Sequence, residues 1–178
     1  IDSQLIDCSI KPGIIHANHR ARFNKHSRIE AKHLNEEYGY AAIRYIDTQE
    51  CREMIGSSAY FGGTIDTGSA HLHPLKYVLG LARAALAAGA EIFEQTRAVS
   101  IEYGKTIKIN TNKYSIKADQ LVFACNGYLG DLEPSVAKKV MPINNFIVAT
   151  KPLSKEMATS LIRDDVAVAD SRFVINYF

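Results

Sequence analysis

Cysteine is scarce in this 178-residue chain, and its three copies, Cys8, Cys51 and Cys125, are odd in number and far apart. Without C-x-x-C spacing they form neither a disulfide framework nor a zinc knuckle. Reduced thiols in a cytoplasmic protein are therefore expected. No sign of charge dominates either. Against 21 basic residues stand 19 acidic ones, a net charge of +2 that disfavours a nucleic-acid partner. Long apolar runs are missing as well: the most apolar stretch, residues 78–90, is broken by Arg83 and is too short to cross a bilayer. The first residues do not show the charged-then-apolar pattern of a leader. There are no internal repeats and no low-complexity linker, and no G-x-S-x-G elbow announces a hydrolase. G-x-G-x-x-G, the loop that cradles a dinucleotide pyrophosphate, is also absent from the sequence.

What remains is an ordinary globular composition, 47% hydrophobic and 22% charged, long enough for one domain with a self-supporting core. Residues 10–17 read as strand, turn, strand around Lys11-Pro12-Gly13. Residues 24–38 carry Ile29, Ala31, Leu34 and Tyr38 at helical spacing, with Gly39 as the stop. A short strand at 44–46 leads to Asp47 or Thr48, either of which can cap a helix through Met54. Residues 60–65 should be a strand and Asp66-Thr67-Gly68-Ser69 a turn.

Pro74 suits the first turn of the next helix, whose expected buried face is Leu75, Val78, Leu79, Ala82, Ala85 and Leu86. Gly89 suits the left-handed position just past its end. A long strand over 91–102 and two shorter ones at 106–110 and 113–117 read as an antiparallel meander. Residues 120–125 form a nearly continuous apolar run, the pattern of a strand buried on both faces, with Cys125 inert inside it. Helix follows Pro134, a strand spans 144–150, Ser154 opens a helix to about Ile162, and residues 166–169 and 172–178 finish as strands.

Certain phrases stand out along this path: Gly68-Ser-Ala-His-Leu-His-Pro-Leu75, Gly89-Ala-Glu-Ile-Phe-Glu-Gln-Thr96, Ala118-Asp-Gln-Leu-Val-Phe-Ala-Cys-Asn-Gly-Tyr-Leu129, and Met141-Pro142 with Ala149-Thr-Lys-Pro-Leu153. In their order and spacing the chain resembles the FAD-dependent glycine oxidase and D-amino-acid oxidase superfamily. It is most similar to the gamma-glutamylputrescine oxidases. The resemblance implies an α+β fold: an antiparallel-sheet substrate domain with helices, plus an incomplete FAD-binding α/β portion. Residues 1–73 and 141–178 would belong to the substrate domain, and 74–140 to the FAD domain.

The resemblance also implies the site. Ala98 matches a strand-end position whose backbone meets the adenine of FAD. Ala124, Cys125, Asn126 and Gly127 match the strand-to-turn segment near its ribose and phosphates. His71, His73 and Tyr177 are the implied substrate contacts. As readings of the residues alone, His71 and His73 could face one way and ligate a metal, but no third ligand has suitable spacing, and local hydrogen bonds at a helix start explain them. Asp66 reads as turn chemistry, and His16 and His19 as solvated.

The glycine loop, the acidic residue that would hold the ribose and the carboxy-terminal piece reaching the flavin ring have no counterpart here. Together with a start at Ile1 and a stop inside the apolar run 173–178, this leads to the expectation of a piece of a longer enzyme. That enzyme would oxidise the C–N bond of a small amine or amino acid with FAD. The piece alone would be inactive and hold no FAD until the missing FAD-domain segments, from the same or another chain, complete it. The alternative is a non-catalytic binding or assembly module, or a subunit that needs a separate glycine-loop chain. Neither reading calls for a membrane span.

Overall fold

The computed structural model describes residues 1 and 4–178. The chain forms two units, one from Ile1–Gly89 with Thr150–Phe178 and one from Ala90–Ala149. Their boundaries lie 16 residues after the expected start of the FAD-domain portion at 74 and nine after its expected end at 140 (90 − 74 and 149 − 140).

The first unit is built on a four-stranded sheet in the order β2-β3-β1-β7. Here β1 is Lys11–Ala17, β2 Ile43–Ile46, β3 Gly63–His71 and β7 Ala167–Asp170. β3 runs antiparallel to both β1 and β2, whereas β7 runs parallel to β1. Ile15, Ala17, Ile46, Ile65 and Val168 meet Cys51, Met54 and Tyr60 in the core. Helix α1 (Asn24–Tyr38) turns Ser27 and Ala31 inward and stops at Gly39, whose φ of 63° is left-handed. That end is the expected one. In α2 (Thr48–Met54) the Asp47 carboxylate accepts from the Glu50 N–H, capping the first turn.

Two expected turns are instead parts of continuous strands. Lys11-Pro12-Gly13 opens β1, and Asp66-Thr67-Gly68-Ser69 lies within β3. The two face each other, and the pairing register steps there, from Pro12 with Ala70 to Ile14 with Asp66. Turn chemistry that would reverse an isolated chain is absorbed as a bulge when flanking residues already have ladder partners.

Helix α3 (Pro74–Ala87) has the expected extent, but its expected buried face is not buried. Leu75, Val78, Leu79 and Leu86 are half exposed or more. Gly80 is the buried residue, lying so close to Ile6 that a Cβ there would overlap it. Spacing identifies an apolar face, but only a partner surface buries it.

The second unit carries a meander in the order β4-β5-β6, with β4 Ala98–Glu102, β5 Ile107–Thr111 and β6 Ser115–Ala118. β4 is much shorter than the expected 91–102. Two further expected strands are absent from the described ladders. Residues 120–125 make no sheet and Val122 is 83% exposed; residues 144–150 are irregular and Phe146, Ile147 and Val148 stand almost fully in solvent. An apolar run becomes a buried strand only beside an edge that takes up its N–H and C=O groups, and none does so here. Short helices α4 (Pro134–Ala137) and α5 (Lys155–Leu161) sit where expected, α5 capped by Ser154. Residues 172–178 form a short return against β7 rather than a full strand, bridging at Ala169 and Tyr177.

Candidate functional site

The second unit contains a groove of about 430 Å³. One wall is Arg97, Ala98 and Val99; the other is Cys125 and Tyr128, running on to Asp131. The first wall is set by β4. Its register steps opposite β5 between Ala98 and Ser100, and β4 ends the sheet, so its outer edge has no ladder partner among the described residues. Arg97 is held by Asn112, whose side-chain oxygen accepts the Arg97 N–H at 3.0 Å and whose N–H donates to the Arg97 carbonyl at 2.9 Å.

The second wall is positioned by a 3-10 turn over Asn126–Tyr128. It is closed by the Tyr128 N–H donating to the Cys125 carbonyl at 3.0 Å, with Asn126 left-handed at φ 50°. Asparagine tolerates that conformation because its short amide can bond locally. Gly127 meets only Pro142, at 3.8 Å from a hypothetical Cβ, so no tight approach demands glycine there.

Of the five expected cofactor contacts, Ala98 and Cys125 line this groove, while Ala124, Asn126 and Gly127 are not in its lining. Cys125 is half-buried rather than enclosed in an apolar strand. The stretch from Tyr128 to Leu132 lines the groove and was not singled out from the sequence; the Gly127 and Gly130 pair around Tyr128-Leu129 is the signal that pointed there. The groove offers an exposed backbone edge, one guanidinium, one carboxylate and an aromatic ring. This set can hold a flat heterocycle and a sugar, but it has no row of backbone amides for a pyrophosphate.

The other expected contacts lie in the first unit. His71 Nε2 is 2.8 Å from the Asp165 carbonyl. His73 caps α3, its Nδ1 accepting the Lys76 N–H at 3.4 Å. Only His73 makes the local hydrogen bond expected at a helix start; the His71 partner lies 94 residues away, just before β7. No group of three metal-binding side chains exists among the described residues. Tyr177 is exposed on the return beside β7.

Two buried carboxylates in this unit were passed over or read as simple turn residues. Asp66 accepts from the Tyr40 and Ser69 hydroxyls, both at 2.6 Å, and from the Gly68 N–H at 2.9 Å. Burial opposes its ionisation, but these donors outweigh burial and lower its pKa. Asp170 accepts from the Asn176 amide at 2.9 Å and from Arg172, and Tyr60 lies at 3.4 Å. Here too burial works against the charge, yet the bonds from Asn176 and Arg172 bring the pKa to about 2.

The profile of the FAD dependent oxidoreductase family matches residues 2–178. The chain belongs to this family. It is 40% identical to a probable oxidoreductase, OrdL, of Rhizobium meliloti, over 99% of this chain and 41% of that protein. It is 30% identical to gamma-glutamylputrescine oxidoreductase of Escherichia coli, over 97% of this chain and 41% of that one. The chain thus spans about two fifths of the length of these relatives. Solved structures of similar fold include L-proline dehydrogenase from P. horikoshii, with a TM-score of 0.66 at 18% identity over 95% of this chain and 46% of that one. Glycine oxidase from Geobacillus kaustophilus matches with a TM-score of 0.62 at 20% identity, over 74% of this chain and 36% of that one. At such identities the likeness speaks for the fold. Among the described residues no helix of this chain is long and apolar enough to cross a membrane.

Proposed function

We propose that this chain is part of an enzyme that oxidises the C–N bond of an amine or amino acid with FAD, acting on a gamma-glutamylputrescine-like substrate. Family membership and the 30% identical E. coli gamma-glutamylputrescine oxidoreductase support the class. The observation that carries the cofactor role is the groove with Ala98 on one wall and Cys125 on the other. In this reading the backbone at Ala98 holds the adenine, and the segment Ala124, Cys125, Asn126 and Gly127 lies along the ribose and phosphates. His71, His73 and Tyr177 face the amine. When bound, FAD supplies the acceptor for the hydride; the protein's part is to orient the amine and keep water away.

A groove of this size takes one end of FAD, and the pyrophosphate needs a glycine loop that this sequence does not contain. The chain alone therefore binds FAD weakly and is inactive until FAD-domain segments elsewhere in the same or another chain close the cradle. A cytoplasmic setting agrees with three unpaired thiols. Titrating adenosine monophosphate into isotope-labelled chain tests the groove: amide shifts at Ala98, Val99 and Cys125 are expected, and shifts confined to other residues would overturn the assignment. Strong quenching of FAD fluorescence at micromolar protein would overturn the divided cradle.

A second reading, a non-catalytic module or a subunit completed by a separate glycine-loop chain, draws on the exposed apolar residues Val122 and Phe146 to Val148. Stable co-purification with such a chain, without amine oxidation, would favour it.

A further inference from the structure

Outside the groove, a cationic stretch and an apolar loop tip stand side by side in the first unit. Residues 16–29 contain Arg20, Arg22, Lys25 and Arg28 and no acidic residue. All four cations are exposed, and none makes an ion pair among the described residues, but Arg28 lies over the Tyr45 ring on β2, at the sheet edge opposite β7. The chain-wide charge balance conceals this local excess.

The neighbouring feature is the loop 171–175. Its base is fixed: the Asp170 N–H donates to the Asn176 carbonyl at 3.0 Å, and Val168 and Phe178 exchange N–H bonds at 2.7 and 3.0 Å. The buried Asp170 carboxylate also accepts the Arg172 and Asn176 N–H groups at 3.1 and 3.2 Å. From this base Phe173 projects fully into solvent, with Val174 76% exposed beside it. Ser171 joins the two features, since its Oγ accepts the His19 N–H at 3.0 Å and lies 2.8 Å from His19 Nδ1. That contact places the turn carrying Arg20 and Arg22 at the foot of the loop.

We propose that this face docks on an anionic bilayer surface, with Phe173 and Val174 entering the headgroup boundary and Arg20 and Arg22 facing lipid phosphates. The two parts are complementary in the way an interface requires: apolar side chains gain by leaving water, and unpaired cations gain from the negative surface potential. Because Asp170 already orders the loop, little conformational freedom is lost on docking. A nucleic acid would use the same cations but has less use for a protruding valine beside the phenylalanine. The inference does not depend on the flavin reading.

The test is co-sedimentation of the full 178-residue chain with vesicles of phosphatidylcholine alone, or mixed equally with phosphatidylglycerol. Duplex DNA serves as the competing polyanion. Binding to the mixed vesicles only, weakening with salt, is expected. Each of Arg20→Gln and Arg22→Gln should weaken it about fivefold. Phe173→Ser with Val174→Ser should weaken it at least tenfold, with circular dichroism unchanged because both side chains are exposed. No vesicle binding, equal binding to neutral vesicles, or capture by DNA with vesicle binding indifferent to the loop substitutions would each overturn the proposal.

Discussion

Asp170 and Asn176 are joined three times: the Asp170 N–H donates to the Asn176 carbonyl at 3.0 Å, one carboxylate oxygen accepts the Asn176 N–H at 3.2 Å, and the other accepts its side-chain amide at 2.9 Å. With Arg172 closing the same ring, a single side chain organises the whole return after β7. The carboxylate is buried, so its charge state is tied to folding.

Because the folded pKa of Asp170 is about 2 against an ordinary 3.8, the unfolded chain takes up a proton first on acidification. Stability from this group is fully present above about pH 5 and is lost as pH falls through 4 toward 2. The drop from 3.8 to about 2, at about 1.4 kcal/mol for each pH unit, is worth roughly 2.5 kcal/mol. Asp170→Ala should cost about 1.5–3 kcal/mol at neutral pH by removing hydrogen bonds to a charged acceptor, and should flatten the acid limb. Urea denaturation across pH 2–7 measures both; an acid limb as steep in the variant as in the parent chain would contradict the assignment.

Gly63 opens β3 at φ 155°, and a Cβ there would run into the His16 carbonyl. Gly63→Ala should therefore destabilise the first unit by about 2–4 kcal/mol, from backbone strain and the displaced β1 strand together. Amide exchange should show the loss at β1 and β3, with β4–β6 less affected.

Tyr40→Phe removes one donor from the Asp66 carboxylate while leaving the ring in place. Losing a hydrogen bond to a charged acceptor should lower stability measurably. The Asp66 pKa should rise in the variant, since the Tyr40 hydroxyl is one of the groups holding it down. Carboxyl chemical shifts followed through a pH titration read this directly.

Thiol titration should separate the three cysteines. Cys8 and Cys51 are buried, and burial raises the Cys51 pKa, whereas Cys125 is half-buried on the groove rim. One thiol should react rapidly with Ellman's reagent in the native chain and all three after denaturation. Cys125→Ser should abolish the fast phase.

Elements whose signals are local were legible in the sequence. The Asp47 and Ser154 caps, the Gly39 stop and the Pro74 start all act within one helical turn, and α1, α2, α3 and α5 lie where they point. The meander after Ala98 was equally plain, because its turn residues separate short alternating runs. Errors gathered where the outcome depends on a distant neighbour. Leu75 and Val78 lie on a true helical face, and residues 120–125 are truly apolar, but spacing cannot supply the surface that would cover them. The Asp66 turn failed for the converse reason: partners in β1 and β2 overrode a local preference. At the groove, Ala98 and Cys125 came from family phrases, while Asp131 became visible only once the β4 edge and the turn stood opposite each other.

The parallel pairing of β7 with β1 ties residues 14–17 to 167–170. During synthesis, Ala90–Ala149 leaves the ribosome before this edge strand exists, so the inserted unit has time to form its meander while the outer sheet still lacks its fourth strand. Folding of the outer unit then awaits closure of a very long loop, a slow step for any sheet. Until it happens the exposed edge of β1 is the nascent chain's most vulnerable surface, and a chaperone that shields extended segments would have its work there.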